Sequence, residues 1–350
     1  MLNRRILLLA TTLLLVSPGV LAREPGEADR LFQSDEILDV SITAPMKTLL
    51  GERPNDRYLR GTLSYREADG SVVDFDIGIR TRGNFRRQRD VCPFPPLRIN
   101  FKKSETKDTL FHKQDKLKLV AHCRDNSERY EQNIIKEYLA YRILNTLTDI
   151  SYRVRLVRIT YRDSEQKYDD RLRYAFFIED KKRVSRRLDL PLISTEGIKS
   201  SELEGAYSDL TSLYQYMIGN TDFSPIAGPE GENCCHNSTL LGLEGEPIYS
   251  VPYDFDLSGL VDAPYAEPNE RFKIKRVTQR LYRGRCAYID NLPTSVQLFQ
   301  EKQDAIYKLF EEQQELEERT RKKVTTFIDR FYDVISNPKK LNREITSKCI

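Results

Sequence analysis

The spacing of apolar residues changes along this chain, and that change decides which elements it can form. Apolar and polar residues alternate in 58–65, 73–79 and 97–101, which is typical of β-strands with one buried face. From a cap at Asn126 or Ser127 through 147 the apolar residues recur at helical spacing. The chain is therefore predicted to be of α+β class. The remaining predicted elements are strands at 117–119, 153–161 and 172–178, a loop at 181–200, helices at 201–219 and 295–335, and a hairpin of 239–243 with 248–252.

The first 22 residues have the features of a secretory signal peptide. Two arginines precede an uncharged apolar run from Ile6 to Val16, and the small residue Ala22 ends the segment. The alternative is a membrane anchor, but this run is shorter than the roughly 20 residues that span a bilayer. We therefore expect 1–22 to be a signal peptide, 23–35 to be a flexible leader, and the protein to be exported to a periplasm or the extracellular space.

The mature part of the chain is almost neutral. The whole chain contains 56 Lys and Arg against 53 Asp and Glu, and only Arg4 and Arg5 of the basic residues lie in the signal segment. Bulk charge therefore suggests no nucleic-acid partner. No later segment is apolar enough to cross a bilayer, so no stable membrane insertion is expected after cleavage. The oligomeric state is left open.

Six cysteines suggest a disulfide framework, because an even number in an exported chain favours disulfides. Zinc binding is the less favoured alternative, since His is scarce and no cysteine pair has the spacing of a zinc knuckle. The adjacent Cys234 and Cys235 are expected to bond separate partners, because a ring between neighbours is strained. The predicted pairs are Cys92 with Cys123, and Cys286 with one of the adjacent two.

Four polar residues that follow the 201–219 helix have oxygen atoms suited to phosphoryl transfer. Asp222 comes directly after the helix, Asn237 precedes the hairpin, and Asp254 and Asp256 follow it. Phosphoryl transfer needs a carboxylate that orients or deprotonates the attacking hydroxyl. It also needs an amide and a carboxylate that hold Mg²⁺ against nucleotide phosphates. Asp254 stands among apolar residues, where an unpartnered charge is costly, which favours a metal or an ion pair.

Several short segments precede these residues in a characteristic order. They are 79–87 with Arg82-Gly83-Asn84, 96–103, 116–119, the helical 135–142, and 174–179. Together with Asn220-Thr221-Asp222 and Tyr253-Asp254-Phe255-Asp256, this order resembles the CotH kinase family, the spore-coat-protein kinases that are atypical relatives of protein kinases. The resemblance covers roughly residues 70–260. It implies a two-lobed protein-kinase-like fold, with a sheet-rich N-terminal lobe of 36–180 containing one helix and an antiparallel sheet, and a mostly helical C-terminal lobe of 181–350 containing the hairpin.

The resemblance also implies a function. It implies an exported kinase that transfers phosphate from ATP, with Mg²⁺ or Mn²⁺, to a hydroxyl of a protein substrate. Asp222 would be the catalytic carboxylate, and Asn237, Asp254 and Asp256 would bind the metal.

The nucleotide-binding residues are implied in the same way. By analogy with the strand lysine and helix glutamate of kinases, Lys118 would contact the phosphates and pair with Glu137. Arg82-Gly83-Asn84 would lie over the phosphates, where glycine allows close approach of the backbone. Glu179 would mark the connector that faces the adenine.

Structural alternatives remain open for several of these residues. Asp222 also suits a turn or helix cap, Asn237 a structural role, and Lys118 a solvated strand face. Asn233 is a second candidate ligand, and the basic run 86–89 is typical of a solvated loop but also suits an acidic ligand. A periplasm contains little ATP, which leaves the donor open. The alternative function is a catalytically inactive kinase-fold protein of the envelope, binding or structural, stabilised by disulfides.

Overall fold

The computed structural model of the protein describes residues 28–125 and 127–350. The predicted signal peptide, the first five residues of the predicted leader and the predicted cap Asn126 lie outside the described residues. The strands are β1 Leu38–Ala44, β2 Leu59–Arg66, β3 Val72–Thr81, β4 Leu97–Phe101, β5 Lys116–Val120, β6 Val154–Asp163, β7 Arg171–Ile178, β8 Ser238–Leu241 and β9 Tyr249–Pro252. The α-helices are α1 Met46–Glu52, α2 Glu128–Leu147, α3 Lys181–Leu188, α4 Gly205–Ile218, α5 Leu292–Glu301, α6 Gln303–Glu312, α7 Glu318–Ile335 and α8 Pro338–Glu344. Short 3₁₀ helices lie at Arg30–Phe32, Ser200–Glu202, Cys286–Asn291 and Thr346–Lys348.

The first seven strands form a closed barrel in the order β1-β2-β3-β4-β5-β7-β6. Six neighbouring pairs are antiparallel, and β1 closes the barrel by pairing in parallel with β6. The predicted two-lobed kinase-like fold, with an antiparallel sheet in its N-terminal lobe, is therefore wrong. The alternation of apolar residues predicts the strands but not their neighbours. Ile42 pairs with both Leu63 and Tyr161, and pairing between such distant segments produces no pattern in the sequence from which it could be predicted.

Aromatic side chains fill one end of the barrel. Tyr65, Phe75, Phe101 and Phe177 surround Phe111, which is fully buried and lies in the connection between β4 and β5. Their ring centroids lie 5.1 to 5.9 Å from that of Phe111, which are favourable spacings for edge and offset contacts. In the predicted leader, Leu31 and Phe32 are buried against this interior. The barrel is thus a packed core.

Helix α2 lies between the barrel and the C-terminal helices, which explains why it is buried on nearly all sides. Tyr141 lies with its ring centroid 5.7 Å from that of Phe176 in β7 and 4.6 Å from that of Phe255. The hydroxyl of Tyr214 in α4 donates to the carbonyl of Ala140 at 2.8 Å. The predicted helix is confirmed to end at Leu147. Through α2, one hydrophobic cluster joins the barrel wall to the helical region.

The helical region differs from prediction mainly at its start. Residues 181–188 form helix α3, not a loop, because the Asp180 side chain accepts the Lys182 amide and caps it. The predicted 201–219 helix is α4, preceded by a 3₁₀ turn. The predicted 295–335 helix is three helices, α5 to α7, and the hairpin is confirmed as β8 and β9. No helix among the described residues combines the length and apolar character needed to cross a membrane.

The six cysteines form three pairs. The predicted Cys92–Cys123 pair is confirmed. Cys286 pairs with Cys349, so its predicted bond to one of the adjacent cysteines is wrong. Cys234 and Cys235 pair with each other, contrary to expectation. The Cys286–Cys349 pair joins the start of the C-terminal helices to the end of the chain. These residues are 63 positions apart, and their spacing alone does not predict the bond.

Candidate functional site

The open end of the β8–β9 hairpin brings two predicted metal ligands together. The Tyr253 amide donates to the Asn237 carbonyl at 3.0 Å, one step beyond the Ser238–Pro252 pair. Asn237 has φ of 52° and Asp254 has φ of 64°, a left-handed conformation that Asn and Asp adopt more readily than most residues. Such residues cluster at functional sites. The hairpin therefore holds the two side chains at one place beside the barrel.

The end of α4 positions Asp222 against the same hairpin. Gly219 ends the helix with φ of +65°, and the Asn220 side chain then accepts the Asp222 amide at 2.9 Å. The Asn237 Nδ2 donates to Asp222 Oδ2 at 2.9 Å, and His236 Nε2 lies 2.8 Å from Asp222 Oδ1. The hydrogen bond to Asp222 raises the pKa of His236, although burial opposes it. Asp222 is thus joined directly to Asn237.

Arg86 forms ion pairs with three carboxylates beside this hairpin. Its guanidinium nitrogens lie 3.3 Å from Glu137, 3.1 Å from Asp254 and 3.2 Å from Asp256. Burial raises the pKa of Glu137 to about 8, against the effect of Arg86, and raises that of Asp256 to about 6. Burial also opposes ionisation of Asp254, but Arg86 and Arg82 hold its pKa below the ordinary value. One buried guanidinium therefore forms ion pairs with three carboxyl groups, of which Asp254 has the lowest pKa.

The loop that contains Arg86 is fixed at both ends. Arg53 donates to the carbonyls of Arg87, Cys92 and Pro93. The Cys92–Cys123 disulfide attaches the same loop to the chain just after β5. These contacts hold Arg86 in its buried position, so the basic run 86–89 is not wholly solvated.

A row of cations crosses three adjacent barrel strands and faces this acidic group. Arg80, Arg98 and Lys118 stand opposite one another in register on β3, β4 and β5. Directly opposed side chains lie about 5 Å apart at Cβ, where like charges repel. Burial and the neighbouring Arg82 and Arg98 lower the pKa of Lys118 to about 7. The buried Arg98 Nε has no hydrogen-bond partner among the described residues, so the row is suited to an anion.

A cavity of about 340 Å³, here called the inner cavity, lies between these groups. Gly83 at its edge has φ of +81°, which favours glycine, and Lys118 Nζ lies 4.8 Å from the Tyr253 ring centroid. The structure thus brings together most of the residues singled out in the sequence. Those that line the inner cavity are Arg82, Gly83, Asn84, Lys118, Asn237 and Asp254.

Three other residues singled out in the sequence are placed differently. Glu137 pairs with Arg86 and forms no ion pair with Lys118 within the described part of the chain. Asp256 is buried and engaged by Arg86. Glu179 is 1 % exposed and pairs with Arg187, while its neighbour Asp180 lines the adjoining cavity. The Glu179 carboxylate therefore faces α3 and not the cavity.

Arg86, Arg98 and His236 were not identified from sequence. Arg86 belongs to a basic run, and nothing local in the sequence distinguishes it from Arg87 and Arg89, which are not buried. The sequence does contain a signal for Arg98: it lies between the apolar Leu97 and Ile99 of an alternating strand, which places its side chain on the face opposite to theirs. His236 stands directly before Asn237, but its contact with Asp222 depends on the hairpin.

The donor groups fit a divalent cation that is bound together with phosphates. Among residues 28–125 and 127–350, no three His, Cys, Asp or Glu side chains are arranged to hold a metal. Mg²⁺ is often held by only one or two carboxylates plus substrate phosphates, and Asp254 with Asn237 supplies such a set. Glu137 Oε1 is buried without a hydrogen-bond partner within the described chain, so a carboxyl oxygen beside this point is still free to accept a bond.

Comparisons with known proteins add no further assignment. No protein-family model matches this chain, and the search of curated proteins returned no match. The CotH resemblance therefore stays a prediction, and the functional argument rests on the geometry of the site.

Proposed function

We propose that this protein is a phosphotransferase that takes phosphate from ATP, with Mg²⁺ or Mn²⁺, and transfers it to a hydroxyl of a protein substrate. The observation that supports this most is the convergence on one cavity of cations and oxygen ligands. Arg82, Arg98 and Lys118 face Asp254 and Asn237 there. The proposal depends on this site and not on a kinase fold.

The chemistry follows from the positions of the charges. The cations stabilise the negative charge on the transferred phosphoryl group, which is the main requirement of such reactions. Asp222, held by Asn237 and His236, accepts the proton of the attacking hydroxyl. A bond forms between the hydroxyl oxygen and the γ-phosphorus, and the bond from that phosphorus to the bridging oxygen breaks, so the products are ADP and a phosphate ester.

Asp254 and Asn237 would hold the divalent cation. When bound, such a cation neutralises charge on the nucleotide phosphates. Leu192, Ile193 and Tyr253, which line the adjoining cavity and are partly exposed, offer an apolar surface for the base.

One observation favours a second function, nucleotide binding without transfer. Arg86 already neutralises part of the charge on Asp254 and Asp256. A protein that never binds a metal at this site would need such a cation. The same cation row would still bind phosphates. This corresponds to the inactive binding protein that the sequence left open.

The two functions are separated by measuring transfer and binding on the same samples. The oxidised protein is incubated with γ-labelled ATP, Mg²⁺ or Mn²⁺, and peptides containing Ser, Thr and Tyr. We expect labelling, and we expect Asp222→Asn to reduce its rate at least about 100-fold while ATP binding persists. Asp333→Asn, a surface acid paired with Lys340, is the matched control and should change neither.

Binding without labelling would favour the second function. The absence of both ATP binding and labelling would contradict both functions.

A further inference from the structure

A larger cavity, here called the outer cavity, adjoins the inner one. Its volume is about 700 Å³, within the range of small-molecule sites, and the two cavities share Arg98, Lys118 and Tyr253. Leu192 and Ile193, which are partly exposed, form an apolar stretch in the same lining as Tyr253. Beyond this stretch the lining is strongly basic. A ligand whose phosphates lie in the inner cavity would extend into this basic end.

Two separate elements supply the basic end of the outer cavity. Lys113 and Lys116 come from the β4–β5 connection and the start of β5, and Lys182 and Arg186 come from α3. None of these four side chains forms an ion pair with any described residue, although other basic residues nearby do. Because the four come from different elements, the charge is a property of the cavity and not of one solvated helix face.

Three acids, Asp115, Asp180 and Glu232, line the outer cavity against nine basic residues, so most of the positive charge is uncompensated. Asp115 pairs with Lys103 at 3.4 Å, and the Asp180 side chain caps α3. Lys181 and Lys182 occupy the first turn of α3, where the helix dipole disfavours cations. Like charges that share a cavity repel each other and are stabilised by a bound anion.

We propose that the outer cavity binds a second phosphate, on the ribose of the same nucleotide whose 5′-phosphates lie in the inner cavity. This inference rests on the proposed function and specifies its ligand class: a nucleotide with phosphate groups at both ends. The apolar stretch would contact the base, and Lys113, Lys116, Lys182 and Arg186 would surround the additional phosphate.

The test compares adenosine 5′-diphosphate with its 2′- and 3′-phosphorylated forms, by calorimetry at low ionic strength. We expect an additional ribose phosphate to tighten binding at least about tenfold, since several charged donors meet one dianion. In the double variant Lys182→Glu with Arg186→Glu this preference should vanish, while affinity for the diphosphate changes by no more than about threefold. The matched control, Lys322→Glu with Lys339→Glu, makes the same change of net charge on exposed positions of α7 and α8 and should keep the preference.

The outcomes separate this inference from the proposed function. Equal affinity for all three nucleotides, or a preference that persists in the α3 variant, overturns the second phosphate site and leaves the proposed function standing. Equally strong displacement by a glutamate peptide of the same charge also overturns it, because the cavity would then be a general anion surface. Absence of binding by every nucleotide overturns both.

Discussion

Replacing Arg86 by Met removes the positive charge that Glu137, Asp254 and Asp256 share. The Arg86 side chain is 7 % exposed and that of Glu137 is 2 % exposed. Methionine retains much of the apolar volume, so the main loss is electrostatic. Removal of one partner from a buried ion pair costs about 3–5 kcal/mol, and we expect a decrease of that size in the free energy of unfolding in urea at pH 8.

The loss should depend on pH. Glu137 has a pKa of about 8 and Asp256 one of about 6 in the folded protein, and both rise further without Arg86. The folded variant then binds protons that the unfolded chain has released, so its stability falls as pH rises from about 5 to 8. We therefore expect the deficit to be at least about 1 kcal/mol smaller at pH 5.5 than at pH 8.

A divalent cation provides the second readout. Because three carboxyl groups lose their shared cation, Mg²⁺ or Mn²⁺ should restore part of the stability of Arg86→Met at pH 8. Arg187→Met is the matched control, because Arg187 is equally buried but pairs with the single carboxylate of Glu179, and it should show no metal recovery. Unchanged stability of Arg86→Met at pH 8, or the same metal effect in both variants, would refute the reasoning.

Three further outcomes are expected. Because burial lowers the pKa of Lys118 to about 7, ATP affinity should fall as pH rises from 6 to 8. Lys118→Met should flatten this dependence in fluorescence titrations, and parallel pH curves for the two proteins would contradict it. His236, whose pKa is raised, stabilises the fold fully below about pH 6.5 and loses that contribution as pH rises past its folded pKa. The stability difference between the parent and His236→Ala in urea should thus shrink from pH 5.5 to 8.5, and a constant difference would exclude the Asp222 contact as its cause. Cys286→Ala with Cys349→Ala removes a bond between residues 63 positions apart, which should cost about 4 kcal/mol of unfolding free energy, and an unchanged urea midpoint would oppose this.

Local patterns predicted most elements of this fold, and non-local pairing accounts for the main error. The alternating strands and helix α2 follow from periodicity within one segment. Closure of the barrel requires β1 to find β6 more than 100 residues later, in parallel, and no local pattern encodes this. The prediction of a loop at 181–200 is wrong for a different reason. The start of this segment is charged, which hides the helix, and Asp180 acts as its cap.

The candidate site was predictable where chemistry and short-range structure coincide. Asp222, Asn237 and Asp254 were identified by type and order, and a hairpin brings them together. The ion-pair partner of Glu137 and Asp254 could not be predicted, because Arg86 reaches both from a loop that is fixed by Arg53 and a disulfide. Burial of that arginine is a tertiary effect.

The central claim is that the phosphates of a nucleotide lie against Arg98 and Lys118, beside Asp254. Calorimetric titration of the oxidised protein with ATP and Mg²⁺ measures this directly. We expect one binding site per chain, weakened at least about tenfold in Arg98→Met with Lys118→Met and nearly unchanged in Asp222→Asn. No binding by the parent protein, or equal affinity of the parent and the double variant, would contradict the claim.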